Sequence, residues 1–201
     1  MSSVRAVTLA DVALPRTGAY GHALLVVGAS FLTAAAAQLA IPVPWSPVPI
    51  TGQTFAVLLT GAVLGARRAF LAQALYLVEG AIGLPVFAGG TAGLARLMGP
   101  TAGYLIAFPF AAALTGFLAG RGWDRRFVNM AAAMLLGSVV IFALGLAWLS
   151  RFVPAPQLLS AGLLPFVPGD LVKSALAAAA FPAAWRWIGR RGIQPRGGSD
   201  S

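Results

Sequence analysis

"FVNMAAAMLLGSVVIFALGLAWLS", residues 127–150, carries no charged side chain over its whole length. Wound as a helix at about 1.5 Å per residue, such a run covers the roughly 30 Å hydrocarbon thickness of a bilayer. A helix pairs its own backbone N–H and C=O groups, which is the condition for crossing lipid. Working outward, "HALLVVGASFLTAAAAQLAI" (22–41) and "VPITGQTFAVLLTGAVLGA" (48–66) are uncharged too. A further span covers about 69–84 and contains Glu79; another lies within 97–120. The last is 166–188, with Pro182 as a kink. The pattern predicts an all-α membrane protein of six transmembrane helices.

Composition agrees. Of 201 residues, 59% are hydrophobic and 9% charged, and the mean hydropathy is +0.84. A soluble domain carries about 25% charged residues. The chain has no cysteine and a single histidine, His22. Disulfides, thiolate chemistry and a histidine metal cluster are thereby excluded, and no metal or cofactor is expected. The net charge of +9 comes from scattered basic residues in an otherwise apolar chain, which argues against nucleic acid. Lys173 follows Val172 rather than glycine, and no nucleotide-binding P-loop occurs. With no paired carboxylates at metal-like spacing, nothing marks a catalytic residue or an ATPase, so the chain is not expected to be an enzyme.

The arginines orient the map. With both termini inside, the inner segments hold Arg5, Arg16, Arg67, Arg68, Arg121, Arg125, Arg126, Arg186, Arg190, Arg191 and Arg196. The outer side keeps only Arg96, Arg151 and Lys173 of the fourteen basic residues. Positive charge concentrates in cytoplasmic loops, so an N-in/C-in orientation follows. The expected layout is a cytoplasmic segment at 1–21, a six-helix substrate-binding domain at 22–190 and a disordered cytoplasmic tail at 191–201.

The outer connections are unusual. "IPVPWSPVPITGQ" (41–53) holds Pro42, Pro44, Pro47, Pro49 and Trp45, so it should be stiff and extended. "GLPVFAGGTAGLARLMGPTAGY" (83–104) holds six glycines, which permit tight turns and close backbone approach to a ligand. A re-entrant loop or lid is expected there, since non-helical backbone at membrane depth needs cover. "RFVPAPQLLSAGLLPFVPG" (151–169) should include a short helix.

Ionisable groups inside a span are expensive and usually functional. Asp170 and Lys173 lie three apart in "PGDLVKSALAAAAFPAAW", on one face of a helix beginning near Pro168-Gly169. A helix-terminal carboxylate with a neutralising partner is the plain structural alternative. The functional reading is a polar site for a ligand offering both an N–H donor and a carboxylate. Arg96 is either an anion clamp or a snorkelling interfacial cation. Glu79 is read as pairing with Arg96 or Lys173. Gln53, Tyr76, Phe87 and Tyr104 are candidates to line an outer pocket, with packing as the alternative for each aromatic. Ala29, Thr33 and Ala37 are spaced by four, as are Ala36 and Ala40. Small residues at that spacing let helices approach closely, either within the bundle or against another membrane subunit.

Four separated motifs, "IPVPWSPVPITGQTFAVLLTGAVLGAR" (41–67), "GLPVFAGGTAGL" (83–94), "GPTAGYLIAFP" (99–109) and "PGDLVK" (168–173), resemble the BioY family. These are the biotin-binding S components of energy-coupling factor (ECF) transporters. The resemblance runs from about Ala34 to Ala178. It implies the S-component fold and high-affinity capture of biotin for uptake across the bacterial cytoplasmic (inner) membrane by a multi-pass subunit. It also implies a transmembrane T subunit and two ATPase subunits as partners, and a homo-oligomer is compatible with it. The family's Asp–x–x–Lys pair maps onto Asp170 and Lys173, with Arg96 a further polar contact. The ureido N–H groups and the carboxylate of biotin suit these charges; which biotin group Lys173 meets stays open. The alternative is an S component for another small vitamin.

Overall fold

The computed structural model describes residues 8–14 and 18–190. The 191–201 tail and part of the 1–21 segment lie outside the described residues. The chain is mostly helical. Thr8 caps α1 (Leu9–Ala13) reciprocally: its hydroxyl oxygen accepts the Asp11 N–H, and the Asp11 carboxylate accepts the Thr8 N–H at 3.0 Å. α2 (Ala19–Gln38) ends just before the prolines of the next connection. Those prolines keep 42–49 from coiling and lay β1 (Ala40–Ile41) antiparallel to β2 (Ile50–Thr51), with Ala40 opposite Thr51 and Ile41 opposite Ile50. This small ribbon qualifies the all-α expectation.

α3 (Gln53–Leu64) and α4 (Ala66–Ala81) are joined by Gly65 alone, at φ +79°. A side chain there would be strained, so the sharp reversal depends on glycine. The 83–101 connection forms 3₁₀ turns at Ala88–Gly90 and Leu94–Leu97. It leads to α5 (Ala102–Gly120), a 3₁₀ turn at Trp123–Arg125 and α6 (Phe127–Leu149). The short helix expected in 151–169 is α7 (Leu158–Gly162). α8 (Val167–Arg190) runs through Pro182.

Each expected span contains a helix, but not all have the same reach. Among the described residues, α2, α5, α6 and the segment containing α8 are long and apolar enough to cross a membrane. α3 has 12 residues and α4 has 16, about 18 and 24 Å of helix. Pro49 and Gly52 delay the start of α3, and Gly65 cuts the apolar stretch short. Large apolar side chains such as Phe31, Phe110, Phe117, Val139, Leu171, Val172 and Leu176 point outward and are exposed. A surface of that kind belongs in lipid.

α5 is the central helix, packed on α3, α4 and α6, and α8 packs on α6 and α3. Small residues set the spacing: a Cβ on Gly61 would meet the Ala112 carbonyl oxygen at 2.5 Å, and one on Gly116 the Ala66 nitrogen at 2.6 Å. α2 packs on α4 and α3. Here the docking stripe needs correction. Thr33 and Ala37 are buried inside the bundle, Ala29 is buried but lines the groove between α2 and α3, and Ala36 and Ala40 are half-buried. The reason is a polar knot: Gln73 on α4 donates to the hydroxyls of Thr33 at 3.1 Å and Thr60 at 3.0 Å. It holds that face of α2 inward, leaving Leu24, Gly28, Leu32 and Ala35 exposed.

At the bundle end away from the ribbon, Arg68 ties α1 down. It donates to Asp11 at 2.7 Å, to Thr8 Oγ1 at 3.0 Å and to the Leu64 carbonyl at 2.8 Å. Burial opposes ionisation of Asp11, but the Thr8 N–H, the Thr8 hydroxyl and Arg68 together hold its carboxyl below the usual carboxylate range. Trp185 Nε1 donates to Asp124 Oδ2, and the Arg125 guanidinium lies 4.7 Å over the Trp185 ring. Trp185 thus pins α8 to the turn before α6.

Candidate functional site

At the ribbon end, a cavity of about 370 Å³ opens between the β1–β2 ribbon, the 83–101 connection and helices α3, α5, α6 and α8. Small-molecule sites run from roughly 300 to 1,000 Å³. Its walls are largely apolar: Val48, Ile50, Phe87, Leu105, Phe108, Phe142 and Phe166, with Pro42 and Pro49 at the ribbon. Asp170, Lys173, Arg96, Gln53, Phe87 and Tyr104 all line it. Glu79 does not.

The periodicity of α8 places the first pair. Asp170, Ser174, Ala177, Ala178 and Phe181 are buried with Lys173 beside them, whereas Leu171, Val172 and Leu176 face outward. Asp170 is 8% exposed and accepts a hydrogen bond from Ser138 of α6 at 2.9 Å. Lys173 donates from Nζ to the Thr51 carbonyl at 3.0 Å. The two share a face, as their spacing requires, yet each is held by a different neighbour. Among the described residues the direct ion pair is Arg68 with Asp11, at the other end.

Arg96 sits in the Leu94–Leu97 turn, exposed at the edge of the cavity. Among the described residues no hydrogen bond or ion pair engages its guanidinium. Gln53 has both polar ends committed: its Nε2 donates to the Tyr76 hydroxyl and its Oε1 accepts from Thr51 Oγ1 at 3.0 Å. Tyr76 stands behind the wall, fully buried, donating to the Val86 carbonyl at 3.1 Å. The Tyr104 hydroxyl donates to the Gly162 carbonyl at 2.8 Å, bracing α5 against α7. Phe87 packs edge-on against Tyr76, with ring centroids 5.5 Å apart, in a seat that exists because residue 80 is glycine.

Glu79 is corrected on its partner. Its carboxylate accepts from Ser30 of α2 at 3.0 Å, because that part of α4 faces α2 rather than the cavity. Trp45 is exposed and off the cavity wall; Pro42, Val48 and Pro49 of the same connection form the wall instead.

Sequence reasoning missed Ser138, Thr51 and Gln38. Ser138 is a hydroxyl inside an uncharged span, and Gln38 a carboxamide in the last turn of another; each was a legible signal. Thr51 acts through its backbone carbonyl, which leaves no mark in side-chain chemistry. Phe108, Phe142 and Phe166 could not be told from ordinary apolar packing.

Chemically, the arrangement offers one buried acceptor, one tethered ammonium and one free guanidinium around an apolar volume. That combination suits an elongated ligand with a hydrogen-bonding head, an apolar body and an anionic end.

Known proteins resemble this chain over most of its length. The model of the BioY family matches residues 9–190. A probable biotin transporter BioY of Pyrococcus horikoshii is 43% identical over 146 residues, covering 73% of this chain and 85% of that protein. The biotin transporter BioY of Thermotoga maritima is 40% identical over 157 residues, covering 78% of this chain and 86% of that protein. Among solved structures, the S-component for biotin from an ECF-type ABC transporter superposes with a TM-score of 0.67 at 28% identity, covering 89% of this chain and 96% of that one.

Proposed function

This chain belongs to the BioY family, and from that premise we propose that it captures biotin in the ribbon-end cavity for uptake across the cytoplasmic membrane, as the substrate-binding subunit of an ECF-type transporter. The observation that carries the reading is the convergence of Asp170, Lys173 and Arg96 on one apolar cavity. Asp170, the most deeply set of the three, accepts a ureido N–H. Lys173 lies beside it, and its ammonium hydrogens not given to Thr51 face the ureido oxygen. Arg96, at the edge and uncommitted, receives the valerate carboxylate. An anion kept near water loses less hydration than one carried to the floor.

The topology belongs to the same proposal: six spans, both termini inside, with residues 22–190 as the binding domain and the cavity facing out. The distribution of arginines supports it. α3 and α4 cross as a short pair, accommodated by local thinning and by flanking arginines that reach the interface. A transmembrane partner docks on the outward face of α2, where Leu24, Leu25, Gly28 and Leu32 form an apolar groove with Leu59 and Val63 of α3. Energy for the cycle is drawn from the partner module.

Isothermal titration of the purified protein with biotin and desthiobiotin tests the reading. Saturable binding at one site per chain supports it; folded protein that binds neither, or binds another vitamin instead, overturns it.

A further inference from the structure

We infer that Gln38 is the latch of the cavity: its carboxamide holds the Ala88–Thr91 turn closed and sets how fast ligand enters and leaves. The inference rests on the biotin reading above. Gln38 is the last residue of α2. Its Nε2 donates to the Phe87 carbonyl at 3.3 Å and to Ala34 at 3.0 Å, while its Oε1 accepts the Gly90 N–H at 2.9 Å. One side chain therefore braces both ends of the turn, and Ala88, Gly89 and Thr91 of that turn form cavity wall.

The ends of this segment are fixed to α4, and the turn between them closes on itself, the Phe87 N–H donating to the Thr91 carbonyl at 3.0 Å and the Gly90 N–H to the Phe87 carbonyl at 3.1 Å. Phe87 is 2% exposed in its seat over Gly80, and the Gly93 N–H donates to the Gly80 carbonyl at 2.7 Å. Both anchors tie to α4. Between them, among the described residues, the hydrogen bonds that leave the 87–91 turn go to Gln38. Gly89 and Gly90 both lie at φ +68° and Gly93 at +92°, conformations that glycine enters and leaves without side-chain hindrance. The opposite wall has no such freedom: four prolines stiffen 42–49, and Ser46 Oγ donates to the Ala161 carbonyl at 2.6 Å. The glycine turn is the part that moves, and Gln38 decides how often. It is a positioning residue, acting through the turn.

The test is kinetic. Biotin association by stopped flow, biotin dissociation by chase and unliganded melting temperature are measured for the parent protein, Gln38→Ala and Gln38→Glu. Losing the paired bonds makes opening about fivefold more frequent. Gln38→Ala should release biotin about fivefold faster and take it up faster too, with an unchanged melting temperature. Gln38→Glu, which still accepts the Gly90 N–H, should fall between. Parent-like dissociation in Gln38→Ala, or slowed association with a lowered melting temperature, overturns the latch while the biotin site stands. A parent protein that does not bind biotin overturns the biotin reading, and the latch falls with it.

Discussion

The Lys173 ammonium lies 3.0 Å from the carbonyl oxygen of Thr51, joining α8 to β2 across 122 positions of sequence. The cation is thereby held apart from Asp170, which takes its hydrogen bond from Ser138 instead. Two charges one helical turn apart are fixed by two different walls of the cavity. On the proposed reading, a ligand there finds both groups already placed, which lowers the ordering cost of binding.

Asp170→Asn and Lys173→Met should therefore differ in stability while agreeing in binding. Hydrogen bonds to charged groups contribute about 1.5–3 kcal/mol, so each variant should bind biotin roughly ten- to a hundredfold more weakly. Asparagine still accepts from Ser138, so the unliganded melting temperature of Asp170→Asn should stay near that of the parent. Methionine strands the Thr51 carbonyl and should lower it. Titration calorimetry and thermal melts in detergent read both effects; parent-like affinity in both variants would remove these residues from the site.

Arg96 makes a prediction about the other end of the ligand. Arg96→Gln should weaken biotin binding about tenfold and leave the methyl ester of biotin unaffected, since the ester has no anion to lose. Competition titrations with acid and ester give the comparison. Equal losses for the two would place the carboxylate elsewhere.

Gly80 is a packing requirement. A Cβ at that position would collide with the Phe87 ring. Gly80→Ala should unseat Phe87, cost about 1–3 kcal/mol of stability and weaken biotin binding through the damaged wall. Gly189→Ala, off the cavity and with nothing within 4 Å of an added Cβ, is the control. Identical melting curves for the two variants would contradict the close approach.

The two faces of α2 predict opposite outcomes. Gly28 lies on the outward groove, with nothing within 4 Å of an added Cβ. Gly28→Trp should leave folding and biotin binding intact while reducing co-purification with a co-expressed membrane partner. Ala37 is fully buried, so Ala37→Trp should fail at folding. Undiminished co-purification of Gly28→Trp would move docking to another face.

Asp124 predicts a pH dependence at the opposite end of the bundle. Burial pushes its carboxyl above the ordinary value of 3.8, with the Trp185 N–H and Arg125 pulling it back down. The folded protein then holds this proton more tightly than the unfolded chain. Its contribution to stability is full below the ordinary value and declines as pH rises through the raised folded value. Asp11 has the opposite sign, losing its contribution as pH falls below 3.8 through its lowered value. The melting temperature of the parent minus that of Asp124→Asn should fall as pH rises, because the change at Asp11 is common to both. A difference independent of pH would contradict the burial argument.

The hydropathy of the chain settled its solvent, and the uncharged runs settled where helices form, because in lipid the backbone must pair within its own segment. The three-residue spacing of Asp170 and Lys173 settled their shared face, since it follows from helical pitch alone. Proline and glycine marked the extended connection and the one with left-handed turns, because each acts on φ locally. What the linear order left undecided were contacts between elements. Glu79 turned to Ser30, and Thr33 turned inward to Gln73, because those choices depend on how α2 and α4 are rotated about their own axes. Lys173 found a backbone carbonyl that any residue at 51 would present. Only the assembled bundle brought Gln38 across to the glycine turn, because such a contact depends on helix ends that are distant in sequence and adjacent in space.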